Sequence, residues 1–262
     1  GPIHEPFLNL LDSYIHESTS RGIHISLNLH RAPGYCINGW ELEETNLWSD
    51  EAPQRNFARL WNAVAERYKG KYENLLSFDL VNEPPAEGQR GFTRDIHQKV
   101  IRDITRGIRE IDSNRTVVIN GLAGGHLAMP ELADLDVVHS GRGYQPMLVS
   151  HYKAEWWDGS KGMPVPTYPC EYEGKYWNRQ TLWEFYEPWR RVSDMGRPVQ
   201  ARVRPRRRAV AQRSAAPRVA SGHFAGAAAH CGHGVGRDAD CAGRHAADHS
   251  TQHMGEVIWV FH

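Results

Sequence analysis

The chain has 262 residues, 40% of them hydrophobic and 24% charged, with 31 basic and 31 acidic side chains. Length and balance describe a soluble globular chain of one large or two small domains and exclude a low-complexity or strongly charged polymer. No apolar run reaches the ~20 residues of a membrane helix, and four scattered cysteines (Cys36, Cys170, Cys231, Cys241) do not read as a disulfide framework.

Taken in order, residues 6–21 read as a helix with Leu8, Leu11, Tyr14 and Ile15 on one face and Gly22 placed to end it. Residues 23–29 follow as a strand that ends on His30 and Arg31, and a long loop then carries Tyr35, Trp40 and Trp48. Pro53 opens a second helix, on which Phe57, Leu60, Trp61, Val64 and Tyr68 recur at helical spacing. The apolar run 75–81 is of strand length and stops on Asn82, Glu83, Pro84 and Pro85; proline cannot continue a central ladder, so the strand must end at the polar pair.

Residues 92–111 form the clearest helix, with Ile96, Val100, Ile101, Ile104, Ile108 and Ile111 as its buried stripe. Short strands follow at 116–119 and 136–140, ending at Asn120-Gly121 and running into Gly141-Arg142-Gly143-Tyr144. A second aromatic loop holds His151, Tyr152, Trp156, Trp157, Tyr172, Tyr176 and Trp177. A last helix is marked by Leu182, Phe185, Tyr186 and Trp189 and closed by Gly196. Residues 197–200 look like the entry to a further strand.

Strands alternating with helices predict a parallel α/β sheet. Polar residues and long loops at the strand ends favour a β/α barrel, which presents its chemistry there, over a doubly wound sheet. No G-x-G-x-x-G follows any strand, which argues against a nucleotide site.

Two stretches, Leu27-Asn28-Leu29-His30-Arg31-Ala32-Pro33-Gly34 and Phe78-Asp79-Leu80-Val81-Asn82-Glu83-Pro84, resemble strands three and four of the family 5 glycoside hydrolases. Val137 to Pro146, continuing to Ser150-His151-Tyr152, is similar to that family's strand six and the loop behind it. The resemblance covers roughly residues 5–200. It implies a partial (β/α)8 barrel, strands three to six and the start of seven, followed by an irregular tail.

It also implies roles. Glu83 would be the general acid/base and Asn82 would bond the sugar 2-hydroxyl. His30 would line the subsite at the cleavage point, and Tyr144 would sit against the nucleophile. Trp40, Trp156 and Trp157 would be exposed platforms for sugar faces. Each has a plainer alternative: a solvated strand-end carboxylate, a core histidine, packed aromatics.

The implied activity is retaining hydrolysis of a β-linked glucan or mannan. The alternatives are a non-catalytic carbohydrate-binding remnant and a related barrel glycosidase such as a xylanase. No cofactor or metal is called for, and the expected partner is a polysaccharide, bound by a monomer without nucleic acid or membrane. No compartment is implied; a secreted protein would need a leader upstream of Gly1.

Three features depart from the family pattern. Arg142 stands where the family commonly has histidine. Nothing matches its first two strands. Its nucleophile, a glutamate just after a Gly-x-Pro-Val entry, has no counterpart: Gly196-Arg197-Pro198-Val199 leads into Gln200-Ala201-Arg202, and no glutamate occurs until Glu256.

Composition changes at the same place. Residues 1–200 carry 22 basic against 27 acidic side chains, residues 201–262 carry 9 against 4, and the latter contain no Leu, Lys, Tyr or Asn. Residues 1–200 are therefore expected to form the partial barrel and residues 201–262 an Ala/Arg/His-rich tail that is not a folded domain. A GC-rich gene read out of frame after codon 200 gives this composition. The competing reading is a genuine basic extension, with 204–208 as an acidic-partner patch and Cys231, His233, Cys241, His245, His249 and His253 as metal ligands.

Overall fold

The computed structural model describes residues 5–202, 251–253 and 256–261. Helix α1 (Glu5–Ser20) buries Leu8, Leu11, Ile15 and Thr19, one stripe at helical spacing. It ends as expected at Gly22, whose φ of +73° and N–H bond to Thr19, with the Ile23 N–H on Ser18, make a Schellman cap. Strand β1 (His24–Leu29) follows. Helix α2 (Glu51–Tyr68) accepts Pro53 in its first turn, where no donor is required, and buries Phe57, Trp61, Val64 and Tyr68.

Strand β2 (Leu76–Asp79) precedes helix α3 (Arg94–Ile111), capped by Thr93, whose hydroxyl accepts from the Ile96 N–H at 3.2 Å. Val100, Ile101, Ile104 and Ile108 face inward from it. Strands β3 (Thr116–Asn120) and β4 (Val138–Arg142) come next. The last predicted helix is two: α4 (Arg179–Phe185) and α5 (Glu187–Asp194). The break falls at Tyr186 because Pro188 suits a first turn, where its missing N–H leaves no gap.

Strand β5 (Val199–Arg202) completes the entry seen at 197–200, and β6 (Thr251–His253) and β7 (Glu256–Phe261) lie in the same sheet. The order is β6-β7-β1-β2-β3-β4-β5. From β1 to β5 every chain neighbour is a parallel sheet neighbour, with registers such as Asn28 opposite Asp79 and Asn120 opposite Ser140. Such an order never reverses direction, so it has no switch point; this is the arc of a barrel and not a doubly wound sheet. β7 runs parallel to β1 on the other side.

Alternation along the strands sorts the two faces. Ile25, Leu27, Leu29, Leu76, Phe78, Val117 and Ile119 join the helix residues in one apolar core. Ser26, Asn28, Ser77, Asp79, Asn120, Ser140 and Arg142 are buried as well, at the alternate positions. A strand face crowded with buried polar groups needs those groups to bond one another. They do so at the carboxyl end of the sheet.

Residues 204–208 and Cys231, His233, Cys241, His245 and His249 lie outside the described residues. Among the described residues no group of His, Cys, Asp and Glu is arranged to hold a metal ion, and no helix is long and apolar enough to cross a membrane. Cys36 and Cys170 are buried free thiols.

Candidate active site

Glu83 sits four residues past the end of β2 with φ +47°, a left-handed conformation that is costly for a side chain with a Cβ. Its main chain is clamped on both sides. The N–H donates to Asn120 Oδ1 at 3.3 Å, and the carbonyl accepts from Tyr35 O–H at 2.5 Å. The strand ends at Asp79, short of the expected polar pair, and the prolines beyond are held in turn, since the N–H groups of Gly124 and Ala123 donate to the carbonyls of Pro84 and Pro85 at 3.1 Å each. Asn82 is anchored to β1 through its N–H on Leu29 O at 3.0 Å, which sets it beside the strand end that carries the half-buried His30.

The Glu83 carboxylate, 18% exposed, receives Arg142 Nε at 2.9 Å and Tyr144 O–H at 3.1 Å, both on Oε1. Arg142 also donates to Asn82 Oδ1 at 2.9 Å, to Asn120 Oδ1, and to Ser140 Oγ at 3.3 Å. Asn120 Nδ2 donates to Asp79 Oδ1 at 2.5 Å. Burial by itself would lower the arginine's pKa; the charges of Glu83, Tyr144 and Asp79 outweigh it and raise it above its ordinary value. Burial first, then the Glu83 charge, pushes the Tyr35 phenol up, so it serves as a donor. His126, whose ring meets Tyr144 edge-on, has its pKa lowered, chiefly by burial.

Gly125 makes room for this arrangement. A Cβ there would lie 2.4 Å from Arg142 Cγ, and its φ of +84° suits glycine alone.

Beside Tyr144 a cavity of about 250 Å³ is lined by Ser150, His151, Tyr152, Lys153 and Trp156 among others. His151 is buried, with the rings of Tyr144, Trp156 and Trp157 edge-on to it at 5.0–5.2 Å. Trp156 is 63% exposed and offers an apolar face at the cavity rim.

Four of the side chains singled out in the sequence thus lie at neighbouring strand ends: Glu83, Asn82, Tyr144 and His30. Trp156 borders them across the cavity. Trp40 departs from the expected exposed platform. It is buried, its indole N–H bonds Gly34 O at 3.1 Å, and Arg90 lies over its ring. Tyr35 meets it edge-on, and Trp48 meets Tyr35 in turn, so it is part of the wall beneath the loop.

Sequence reasoning missed Asp79, Asn120 and Tyr35 as members of the site. The signal for the first two was the alternation in Ser77-Phe78-Asp79 and Val118-Ile119-Asn120, which puts a polar side chain on the same face of adjacent strands. Tyr35 carried no such signal, because a loop aromatic has no period.

Comparison with known proteins agrees with this fold. The sequence model of the family described as Cellulase (glycosyl hydrolase family 5) matches residues 2–194. Endoglucanase C of Acetivibrio thermocellus is 28% identical over 182 residues, covering 66% of this chain and 50% of its own. Cellodextrinase A of Ruminococcus flavefaciens is 24% identical over 156 residues, covering 60% and 46%. The chain therefore spans about half the length of these curated relatives.

A crystal structure described as that of a glycoside hydrolase superposes with a TM-score of 0.70 at 54% identity, over 73% of this chain and 58% of the other. Endoglucanase Cel5A from the hyperthermophilic Thermotoga maritima gives 0.58 at 23% identity, over 75% and 59%, a likeness of fold. With Asn82 and Glu83 at the carboxyl end of a barrel strand, and a family match over most of its length, the chain belongs to glycosyl hydrolase family 5.

Proposed function

We propose that the strand-end cleft of residues 1–200 binds a β-linked polysaccharide of the cellulose or mannan type. In this reading Glu83 stands where the general acid/base of retaining hydrolysis acts. Asn82 meets the 2-hydroxyl of the sugar at the cleavage point, His30 and Tyr144 flank that sugar, and Trp156 stacks on a neighbouring unit. The observation that carries the reading is the convergence of Tyr144 and Arg142 on one strained, strand-end glutamate, with Asn82 tied to the same Arg142. The endoglucanase relatives support the substrate class.

Retaining hydrolysis needs a second carboxylate about 5–5.5 Å from the first. The neighbour of β4 is β5, and its residues Val199-Gln200-Ala201-Arg202 include none. The chain as written is thus proposed to bind but not to turn over. Loss of a covalent nucleophile costs on the order of 10⁴-fold or more in turnover.

The test measures reducing sugar released from carboxymethyl cellulose and from mannan. No release is expected from this chain. A version that supplies strands one and two, a glutamate after Val199 and the rest of the barrel should be active, and Glu83→Gln should abolish that activity. Hydrolysis by the present chain that Glu83→Gln leaves unchanged would overturn the assignment.

A further inference from the structure

Arg142 is the one side chain of the cluster that reaches Glu83, Asn82 and Asn120 together. It is 3% exposed, and a guanidinium has five N–H donors in a rigid fork and no acceptor. That one-sidedness settles the direction of both amides. Asn82 must show Arg142 its oxygen, so its Nδ2 donors are turned elsewhere. Asn120 also shows Arg142 its oxygen, and its nitrogen goes to Asp79, a carboxylate that only accepts. On Glu83 both donors, Arg142 Nε and Tyr144 O–H, fall on Oε1, and neither uses Oε2.

Resting on the carbohydrate reading above, we propose that Arg142 is a positioning residue that fixes the polarity of the site. It commits the Asn82 oxygen to the protein, so that Nδ2 is the group Asn82 offers to a sugar hydroxyl, and it leaves Oε2 of Glu83 as the oxygen for the glycosidic bond. The chain Asp79–Asn120–Arg142 runs from β2 through β3 to β4, so the strands themselves hold the arrangement. A lysine would keep the charge but lacks the fork and would free at least one of the three partners.

The experiment is calorimetric titration of the 262-residue chain with cellotetraose, with a thermal melt of each variant. Arg142→Lys, which keeps a buried cation, should bind about tenfold more weakly, the loss of one charge-assisted hydrogen bond's worth of ordering. Arg142→Ala should bind more weakly still, and millimolar guanidinium, well below denaturing levels, should restore much of the affinity. Asn82→Asp keeps the oxygen that Arg142 requires but has no donor left, so it should melt like the parent and lose binding.

Affinity equal to the parent's in Arg142→Lys would overturn the proposal. So would a folded Arg142→Ala whose weak binding guanidinium does not improve, because a purely structural residue would behave that way. Should Arg142→Ala fail to fold, the lysine and Asn82→Asp variants decide. A parent that binds no cellotetraose overturns the carbohydrate reading and this proposal together, whereas a binding parent with indifferent Arg142 variants overturns this proposal alone.

Discussion

Replacing Arg115 by methionine tests the packing logic at the opposite end of the sheet from Glu83. Arg115 is 1% exposed and donates to Leu76 O at 3.0 Å, Tyr68 O at 2.7 Å and Lys71 O at 2.9 Å. It also pairs with Asp112 at 2.8 Å and lies over the Phe78 ring. One cation thereby ties the end of α2, the start of β2 and the turn between α3 and β3. Methionine fills most of the volume but strands the Asp112 carboxylate, itself only 7% exposed.

Removing one partner of a buried pair costs about 3–5 kcal/mol. The three carbonyls add less than three full penalties, since Tyr68 O also accepts from the Lys71 N–H. Against a typical total of about 5–15 kcal/mol this is a large fraction. Urea unfolding followed by tryptophan fluorescence measures it. Adding Asp112→Leu should recover much of the loss, because the carboxylate then needs no partner. A single variant within about 1 kcal/mol of the parent, or a double variant no better than the single, would refute the argument.

Other outcomes follow from the same packing. Burial holds the imidazole of His97 neutral, with its pKa down at about 3, and that of His139 at about 4. The unfolded chain takes up those protons near pH 6.5, so this stability is complete above that value and is lost as pH falls toward 4 and 3. Each should contribute about 2 kcal/mol less at pH 5 than at pH 7, and His97→Phe should flatten the dependence; an unchanged slope would remove His97 from the account.

Trp156→Ala should weaken cellotetraose binding about fivefold without moving the melt, whereas Trp40→Ala should cost about 3–5 kcal/mol of stability. The reverse pattern in calorimetry and melting would mean the two rings have been given each other's jobs. Reading the gene's other forward frames from codon 200 should give an apolar strand with a glutamate soon after Val199; two frames without one would leave residues 201–262 to be explained as genuine protein.

The strands and their crossovers were legible because alternation and turn residues act locally: Gly22 stops α1 wherever the rest of the chain goes, and Pro84 bars any strand from running on, although β2 already ends at Asp79. Glu83 and Asn82 could be read for the same reason, as polar residues at a strand end. What could not be read depends on pairs far apart in sequence. Arg142 meets Glu83 across 59 residues and Asn120 meets Asp79 across 41, contacts that arise from sheet register and leave no period in the sequence.

Trp40 and Trp156 show a related limit. Both are loop tryptophans, and only the fold around each decides that Arg90 covers the first while the second stays open to solvent. The hairpin at 170–177 went unread too, although Glu173-Gly174, both at positive φ, is a turn pair of the type that joins two short strands.

The left-handed backbone at Glu83 has a consequence for anyone engineering this scaffold. A glycine there would relieve about 1 kcal/mol or more of conformational cost, but it would also leave the Arg142 guanidinium, 3% exposed, without its counter-charge, and removing one partner of a buried pair costs up to about 3–5 kcal/mol. The ion pair thus holds the strained backbone in place, and a screen of single substitutions by thermal stability would keep the glutamate while Arg142 stands. Only after residue 142 had changed would the strain at residue 83 come free, so the two positions are open to change together and closed to change singly.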